Sequence, residues 1–315
     1  MAISRNYMKV RPFLSRLLGL FFMKSGFVRT QLKKIKSTKN ITVLYFHNPS
    51  VELFSGCVSW LIDNHYVFIS VQELHDILTQ KKIPPSGAVC LTVDDGWREN
   101  LSNIMPVVNT LDIPICFFIS TGPVEDGAFW WSLCAQTERK GSGENISAKD
   151  LKKIPNFKRS RKIDELRAKI TLDREAITIE ELIDLSRYPI VTIGSHTVNH
   201  PCLNQCTQDE SAYEIKEGNR HLSEWIKMDV KYFSYPNGDF KGNEHQVLAE
   251  SGCLMAFTTE QEFVSPNYAN LFYLPRFSIN DGGSLEENIC KMIGLWQTLE
   301  KCVIRHKKTR PIEDG

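Results

Sequence analysis

Between residues 41 and 279 the chain repeats one alternation: short runs that are apolar or β-branched almost without a break, separated by stretches of helical periodicity. The runs are ITVLYF (41–46), AVCLTV (88–93), ICFFIS (115–120), IVTIG (190–194), KYFSY (231–235), MAFT (255–258) and RFSI (276–279). A strand with one wet face would alternate polar and apolar residues. These runs do not, so both faces are covered, as in a parallel sheet. Helix starts between the runs are legible: Ser70–Val71–Gln72–Glu73 and Thr207–Gln208–Asp209–Glu210 both have capping-box spacing ahead of apolar residues at helical intervals. About seven strand–helix units predict an α/β fold, a distorted parallel (β/α) barrel, open or closed.

The 315 residues suffice for one such barrel, which commonly takes about 200–250. From about 133 to 186 the rhythm breaks. This stretch is rich in Lys, Arg and Glu, contains GSGEN and holds no convincing strand, so it reads as a helical insertion on one loop. The organisation expected is a basic leader over 1–40, one domain over 41–300 carrying that insertion, and a basic tail over 301–315.

The formal charge of +1 conceals an asymmetry. Residues 1–40 hold ten Lys or Arg and no Asp or Glu, and the other 28 basic and 37 acidic residues leave the rest at −9. An acidic body carries no nucleic-acid footprint. No stretch reaches the roughly 20 apolar residues that span a bilayer. The segment PFLSRLLGLFFMKSGF places Phe13, Leu14, Leu17, Leu18 and Phe21 on one helical face with basic flanks. It reads as an interfacial anchor on anionic lipid or, equally, as a helix packed on the protein's own body. Arg16 and Gly19 interrupt it as a signal-peptide core and no A-x-A-like site follows, whereas a transit peptide shares its acid-free composition. The nine cysteines are odd in number and scattered, with Cys90 and Cys116 inside apolar runs. That argues for a reducing compartment over a disulfide framework. Cys202 and Cys206, beside His200, lack the second pair a zinc knuckle needs. The reading is a cytoplasmic protein, free or held at the inner face of the membrane.

Four motifs fall at predicted strand ends, where barrel active sites are built. LTVDDG ends in Asp94, Asp95 and Gly96. Consecutive strand residues face opposite ways, so the two carboxylates can share a task only where the strand has ended, and Gly96 relaxes the backbone there. Asp-Gly is also a common turn. GSHTVNH carries His196 and His200, whose spacing of four brings both imidazoles to one side of a helical turn and suits zinc. Alone such a pair is more often structural; with Asp94 and Asp95 it forms a His₂–carboxylate site with open positions.

The pair LTVDDG and SHTVNH resembles the first two motifs of the polysaccharide deacetylase family, whose TFDDG stands here as TVDDG and H-[ST]-x-x-H as HTVNH. The likeness continues through FSYPNG, FWW and LPRFSI, covers roughly residues 41–290, and is nearest to the branch with a YH-type strand, matched by LYFHN. It implies a carbohydrate deacetylase acting on a linear amide C–N bond, with Asp95, His196 and His200 binding a divalent metal. Zn²⁺ is favoured, while Co, Ni, Fe and Mn suit the same donors. Asp94 is implied to be the base that deprotonates the attacking water, and the backbone N–H of Asn237 an oxyanion donor. Asn237 replaces a tyrosine usual in that motif. The family's Arg before the Pro of this motif is missing, since Ser234 and Tyr235 stand there. Arg276 is the substitute, its alternative being a surface salt bridge. The usual C-terminal Leu-x-His is missing too, so His47 takes the role of general acid, its alternative being a strand-capping histidine. Trp97, Trp130 and Trp131 read as aromatics at the mouth of the site or, equally, as core or lid packing; Phe117 and Phe118 read as core.

The substrate implied is an amino sugar with an acylamino group, in a glycan or in a lipid-linked or nucleotide-linked carbohydrate. Deformylation of a formamido sugar is the nearest alternative chemistry. A non-catalytic carbohydrate-binding relative is the alternative outside the enzymes, and such a relative is expected to lose a ligand or the base.

Overall fold

The structure is a computed structural model that describes residues 14–140 and 146–298. The first thirteen residues with Phe13, the GSGEN segment and the tail over 301–315 lie outside the described residues. One sheet of eight parallel strands forms the frame: β1 (Thr42–Phe46), β2 (Val67–Phe68), β3 (Ala88–Val93), β4 (Ile115–Ile119), β5 (Val191–Ser195), β6 (Tyr232–Ser234), β7 (Met255–Phe257) and β8 (Phe277–Ser278). Their order is β7-β6-β5-β4-β3-β1-β8, with β2 paired to β3 beside this path. Each neighbouring pair is parallel, as in Val43 opposite Cys90 and Phe117 opposite Ile193. β2 went unforeseen because two residues are too few to show a pattern.

The gap between β7 and β8 is spanned by the chain leading into β8. Thr258 donates its N–H to the Leu274 carbonyl and Leu274 returns one to Ala256, while Phe277 three residues later pairs with Leu44 of β1. The result is a curled, distorted (β/α) barrel.

Period-two alternation sorts the strand residues into two cores. Leu44, Phe46, Leu91, Phe117 and Ile193 pack outward beneath the surrounding helices. Val43, Cys90, Cys116, Phe118 and Phe257 form a second cluster on the other face of the sheet. Every one of these ten is nearly or fully buried. The capping boxes form: Ser70 Oγ accepts from the Glu73 N–H at 3.1 Å, Glu73 returns to the Ser70 N–H, and Thr207 and Glu210 do the same.

The stretch over 133–186 consists of the helices Trp130–Lys140, Ala148–Leu151, Asn156–Arg167 and Ile179–Ser186. It has its own small core, in which Trp130 and Leu133 meet Leu151, Ile163 and Leu166. Among the described residues no helix is long and apolar enough to cross a membrane. Residues 14–24 are helical and do pack on the body, but through Ser15, Gly19 and Phe22 and not through the apolar stripe.

Candidate active site

β3 ends at Val93, and Asp94 extends its ladder by one bond, donating its N–H to the Phe46 carbonyl at 2.9 Å. Asp95 then takes a left-handed φ of 78° and Gly96 one of 97°. That reversal lets two consecutive carboxylates face one cleft, which a continuing strand forbids.

The histidines follow β5, but the expected helical turn is absent. Thr197 and His200 have φ of 69° and 48°, outside helical space. A buried carboxylate shapes the turn instead: Glu214 accepts the N–H groups of Val198 and Asn199 at 2.9 and 2.7 Å, and the Asn199 side-chain amide at 2.9 Å. Burial raises the Glu214 carboxyl pKa, against the opposing pull of these hydrogen bonds. Its helix, Gln208–Ile226, approaches the turn closely at Gly218, where a Cβ would lie 2.9 Å from the Thr197 carbonyl carbon. From the insertion, buried Arg159 and Trp130 both donate to the His200 carbonyl, at 3.0 and 3.2 Å. Arg159 lies over the Trp130 ring at 5.1 Å and is held by Asn156. A buried carboxyl group and a buried guanidinium thus grip the histidine turn from two elements.

Asp95, His196 and His200 converge, with one donor atom from each lying within 4.8 Å of the others. Asp95 Oδ1 stands 3.6 Å from His196 Nε2 and 3.4 Å from His200 Nε2. Donors about 2.1 Å from a shared tetrahedral ion stand about 3.4 Å apart, so the set fits a metal. Asp95 Oδ1 is buried and has no hydrogen-bond partner, while Oδ2 accepts from Trp97 Nε1 at 3.0 Å. A buried carboxylate oxygen without a donor is costly unless a cation faces it. His196 Nδ1 donates to the Ser234 carbonyl at 2.7 Å, which leaves the Nε2 lone pair aimed inward. Burial pushes the His196 pKa down to about 4, keeping the ring neutral as a ligand must be. His200 Nδ1 is buried without a partner, so only His196 has its tautomer set in this way.

Beside the triad, Arg276 Nη1 and Nη2 each lie 2.8 Å from one Asp94 oxygen. Its other donors go to Thr92 Oγ1, Ser234 Oγ and the Thr258 carbonyl, so all five N–H groups are used. The guanidinium also lies over the Tyr45 ring at 4.5 Å. Arg276 is fully buried, which removes the surface salt bridge as its explanation. Burial alone would raise the Asp94 pKa, but the charge and hydrogen bonds of Arg276 outweigh it and hold the carboxyl below its ordinary range.

Asp94 and the triad line a cleft of about 480 Å³ together with His47, Asn237, Trp131 and Lys152. His47 is 42% exposed, packs edge-on against Tyr45, and has Nδ1 3.9 Å from Asp281 Oδ2. The strand-capping alternative concerns its backbone: the His47 carbonyl does accept from Asn100, but its ring faces the cleft. Asn237 sits in the turn Pro236–Gly238 with φ of 57°. The turn's own bonds run from Gly238 to Tyr235 and from Asp239 to Pro236, leaving the Asn237 N–H outside them. Its side-chain oxygen accepts from Lys152 of the insertion. Of the three tryptophans only Trp131 lines the cleft, 4.7 Å from the His200 ring; Trp97 braces Asp95 and Trp130 braces His200 from behind. Glu214, Arg159, Lys152 and Asp281 escaped sequence reasoning, because none lies in a motif that announces it; Ser234, noted in the sequence only as standing where the family's Arg is missing, bonds both Arg276 and Asp94.

A parallel barrel whose strand ends gather these groups in one cleft defines a hydrolase of the α/β-barrel class. Residues 81–256, more than half of the chain, match the family model described as "Polysaccharide deacetylase", and the chain belongs to that family. It is a carbohydrate deacetylase, acting on a linear amide C–N bond. The Bacillus subtilis protein YxkH, named provisionally as a polysaccharide deacetylase, is 22% identical over 80% of this chain and 75% of its own. The poly-β-1,6-N-acetyl-D-glucosamine N-deacetylase of Escherichia coli is 23% identical over 73% of this chain, a match that spans 33% of that protein. Among solved structures, IcaB from Ammonifex degensii superposes with a TM-score of 0.58 at 18% identity, covering 81% of this chain and 97% of IcaB; that likeness concerns the fold.

Proposed function

We propose that this enzyme removes an N-acetyl group from an amino sugar with the help of one divalent metal, Zn²⁺, held by Asp95, His196 and His200. The observation that carries the reading is the buried, partnerless Asp95 Oδ1 facing two imidazole Nε2 atoms, next to a carboxylate ionised by Arg276. Two nitrogens and one carboxylate suit zinc, although Co, Ni, Fe and Mn accept the same donors. Such an ion, when bound, supplies Lewis acidity that acidifies water and polarises the amide carbonyl.

The chain's own groups then divide the proton work. Asp94 Oδ1 accepts one bond from Arg276 and keeps a lone pair for the proton of the attacking water. As the water oxygen adds to the carbonyl carbon, the Asn237 N–H donates to the developing oxyanion. His47 delivers a proton to the nitrogen as the C–N bond breaks, so acetate and a free amine leave. Trp131 offers an apolar face to the sugar ring. The E. coli relative is named for a poly-N-acetylglucosamine, which makes a glucosamine-type sugar the first substrate to try.

Acetate and formate release should be measured from polymeric, lipid-linked and nucleotide-linked acylamino sugars. Acetate from at least one, abolished by Asp94→Asn, is the expected result. Formate alone would reassign the acyl group, and no release from any would favour a carbohydrate-binding role.

A further inference from the structure

The leader helix presents its apolar stripe to solvent. Leu14, Leu17, Leu18 and Phe21 are 57, 48, 40 and 57% exposed, and Phe27 just beyond is 52% exposed. The helix is nonetheless docked on the body by its adjoining face. Phe22 is buried with Val28, Ile35 and Cys290, and Gly19 lies so close to Glu286 that a Cβ would stand 2.7 Å from its carbonyl carbon. Arg16 is 3.3 Å from the Glu286 carboxylate. The stripe is thus an apolar surface on a helix already held in place by other contacts.

We propose that this stripe, with the exposed Lys24, Arg29, Lys33 and Lys34 that follow it in the chain, docks the protein on an anionic lipid bilayer. Five large apolar side chains in one short segment form the kind of patch that marks an interaction site. The partner's sign follows from charge: residues 1–40 hold ten basic and no acidic residues. Two copies meeting here would bring like charges together, whereas an anionic headgroup layer supplies the complement and its acyl boundary receives the Leu and Phe side chains. Glu286, on which the helix rests, follows Asp281 by five residues, and Asp281 faces His47. Five residues span at most about 18 Å, so the backbone on which the helix rests is within that reach of Asp281. The inference does not depend on which acyl group the site removes.

The full-length protein should be sedimented with vesicles of phosphatidylcholine, alone and mixed with phosphatidylglycerol. Binding to the mixed vesicles is expected, falling with added salt. Lys33→Gln and Lys34→Gln should each weaken it about fivefold. Leu17→Glu and Phe21→Glu should each weaken it about tenfold or more. Because both side chains are exposed, melting temperature and turnover of a soluble acylamino sugar should stay at wild-type values. In Phe21→Trp, emission from the new indole, taken as the difference from wild type, should shift to the blue on anionic vesicles. Equal binding to neutral vesicles, equal binding by the glutamate variants, or an unmoved emission would overturn the proposal. So would a dimer in light scattering that Leu17→Glu dissociates, with no vesicle binding by either form.

Discussion

Arg276 and Asp94 stand 182 positions apart in the chain and meet through two parallel hydrogen bonds of 2.8 Å, both side chains buried. Such a fork-to-fork pair sets the plane of the carboxylate as well as its charge. Lysine keeps the charge but not the fork. Arg276→Lys should therefore lower kcat by roughly 10²-fold through misaimed geometry, with metal content by elemental analysis unchanged. Arg276→Ala should instead destabilise the fold by about 3–5 kcal/mol in denaturant titrations, because it strands a buried charge. Wild-type kcat in Arg276→Lys would rule out the orienting role.

The triad should hold about one equivalent of divalent metal after purification without added metal, and His196→Ala should lose it. Binding only to the folded state stabilises it by about 2.7 kcal/mol at a hundredfold excess over Kd, so the melting temperature rises with metal concentration. Chelation should therefore lower both melting temperature and turnover, and zinc should restore both. An identical melting curve before and after chelation would count against a bound ion.

His47→Asn should retain metal and lose roughly 10²–10⁴ in amide turnover, the usual worth of a positioned acid. An activated aryl acetate, whose leaving group needs no proton, should be far less affected. Equal losses on both substrates would make His47 structural and send the search for the acid elsewhere.

The histidine turn should respond to residues that never touch a metal. Glu214→Gln places an amide among three N–H donors and should weaken metal affinity about 10–100-fold, as loss of ligand support does. The linkage has a definite sign. Because the Glu214 pKa is raised on folding, its contribution is full below the ordinary glutamate range and is lost as pH rises through the raised value. The glutamine variant should lack that slope in melting temperature against pH. Arg159→Lys, which loses the second donor and the stacking on Trp130, should likewise reduce metal affinity, whereas an unchanged affinity would make Arg159 a packing residue only.

Several placements were legible in advance for physical reasons. Runs of covered parallel strands need apolar residues on both faces, so their positions show in one dimension, and Asp94, Asp95, His196 and His200 are conspicuous because they end such runs. Arg276 and His47 were reached through a family motif that this chain lacks, since nothing local distinguishes one arginine at a strand start. The tryptophans illustrate the limit. Neighbours on a helix point about 100° apart, so Trp130 and Trp131 take opposite duties, brace and cleft wall, which composition alone does not apportion.

What the sequence determined by itself is what repeats or clusters locally: the α/β alternation, the capping boxes, the strand-end carboxylates and imidazoles, and the acid-free leader with its apolar stripe. What only the tertiary structure decided is what depends on long-range packing. The left-handed Asp95 turns two neighbouring carboxylates into one cleft. Glu214 and Arg159, from a barrel helix and from the insertion, pull the histidine turn out of helical geometry. Gly19 selects which face of the leader is buried, because only a residue without a Cβ lets that helix approach Glu286 so closely. Local pattern is carried by near neighbours along the chain, whereas each of these choices rests on one polar or small residue whose partner arrives only when the barrel has closed.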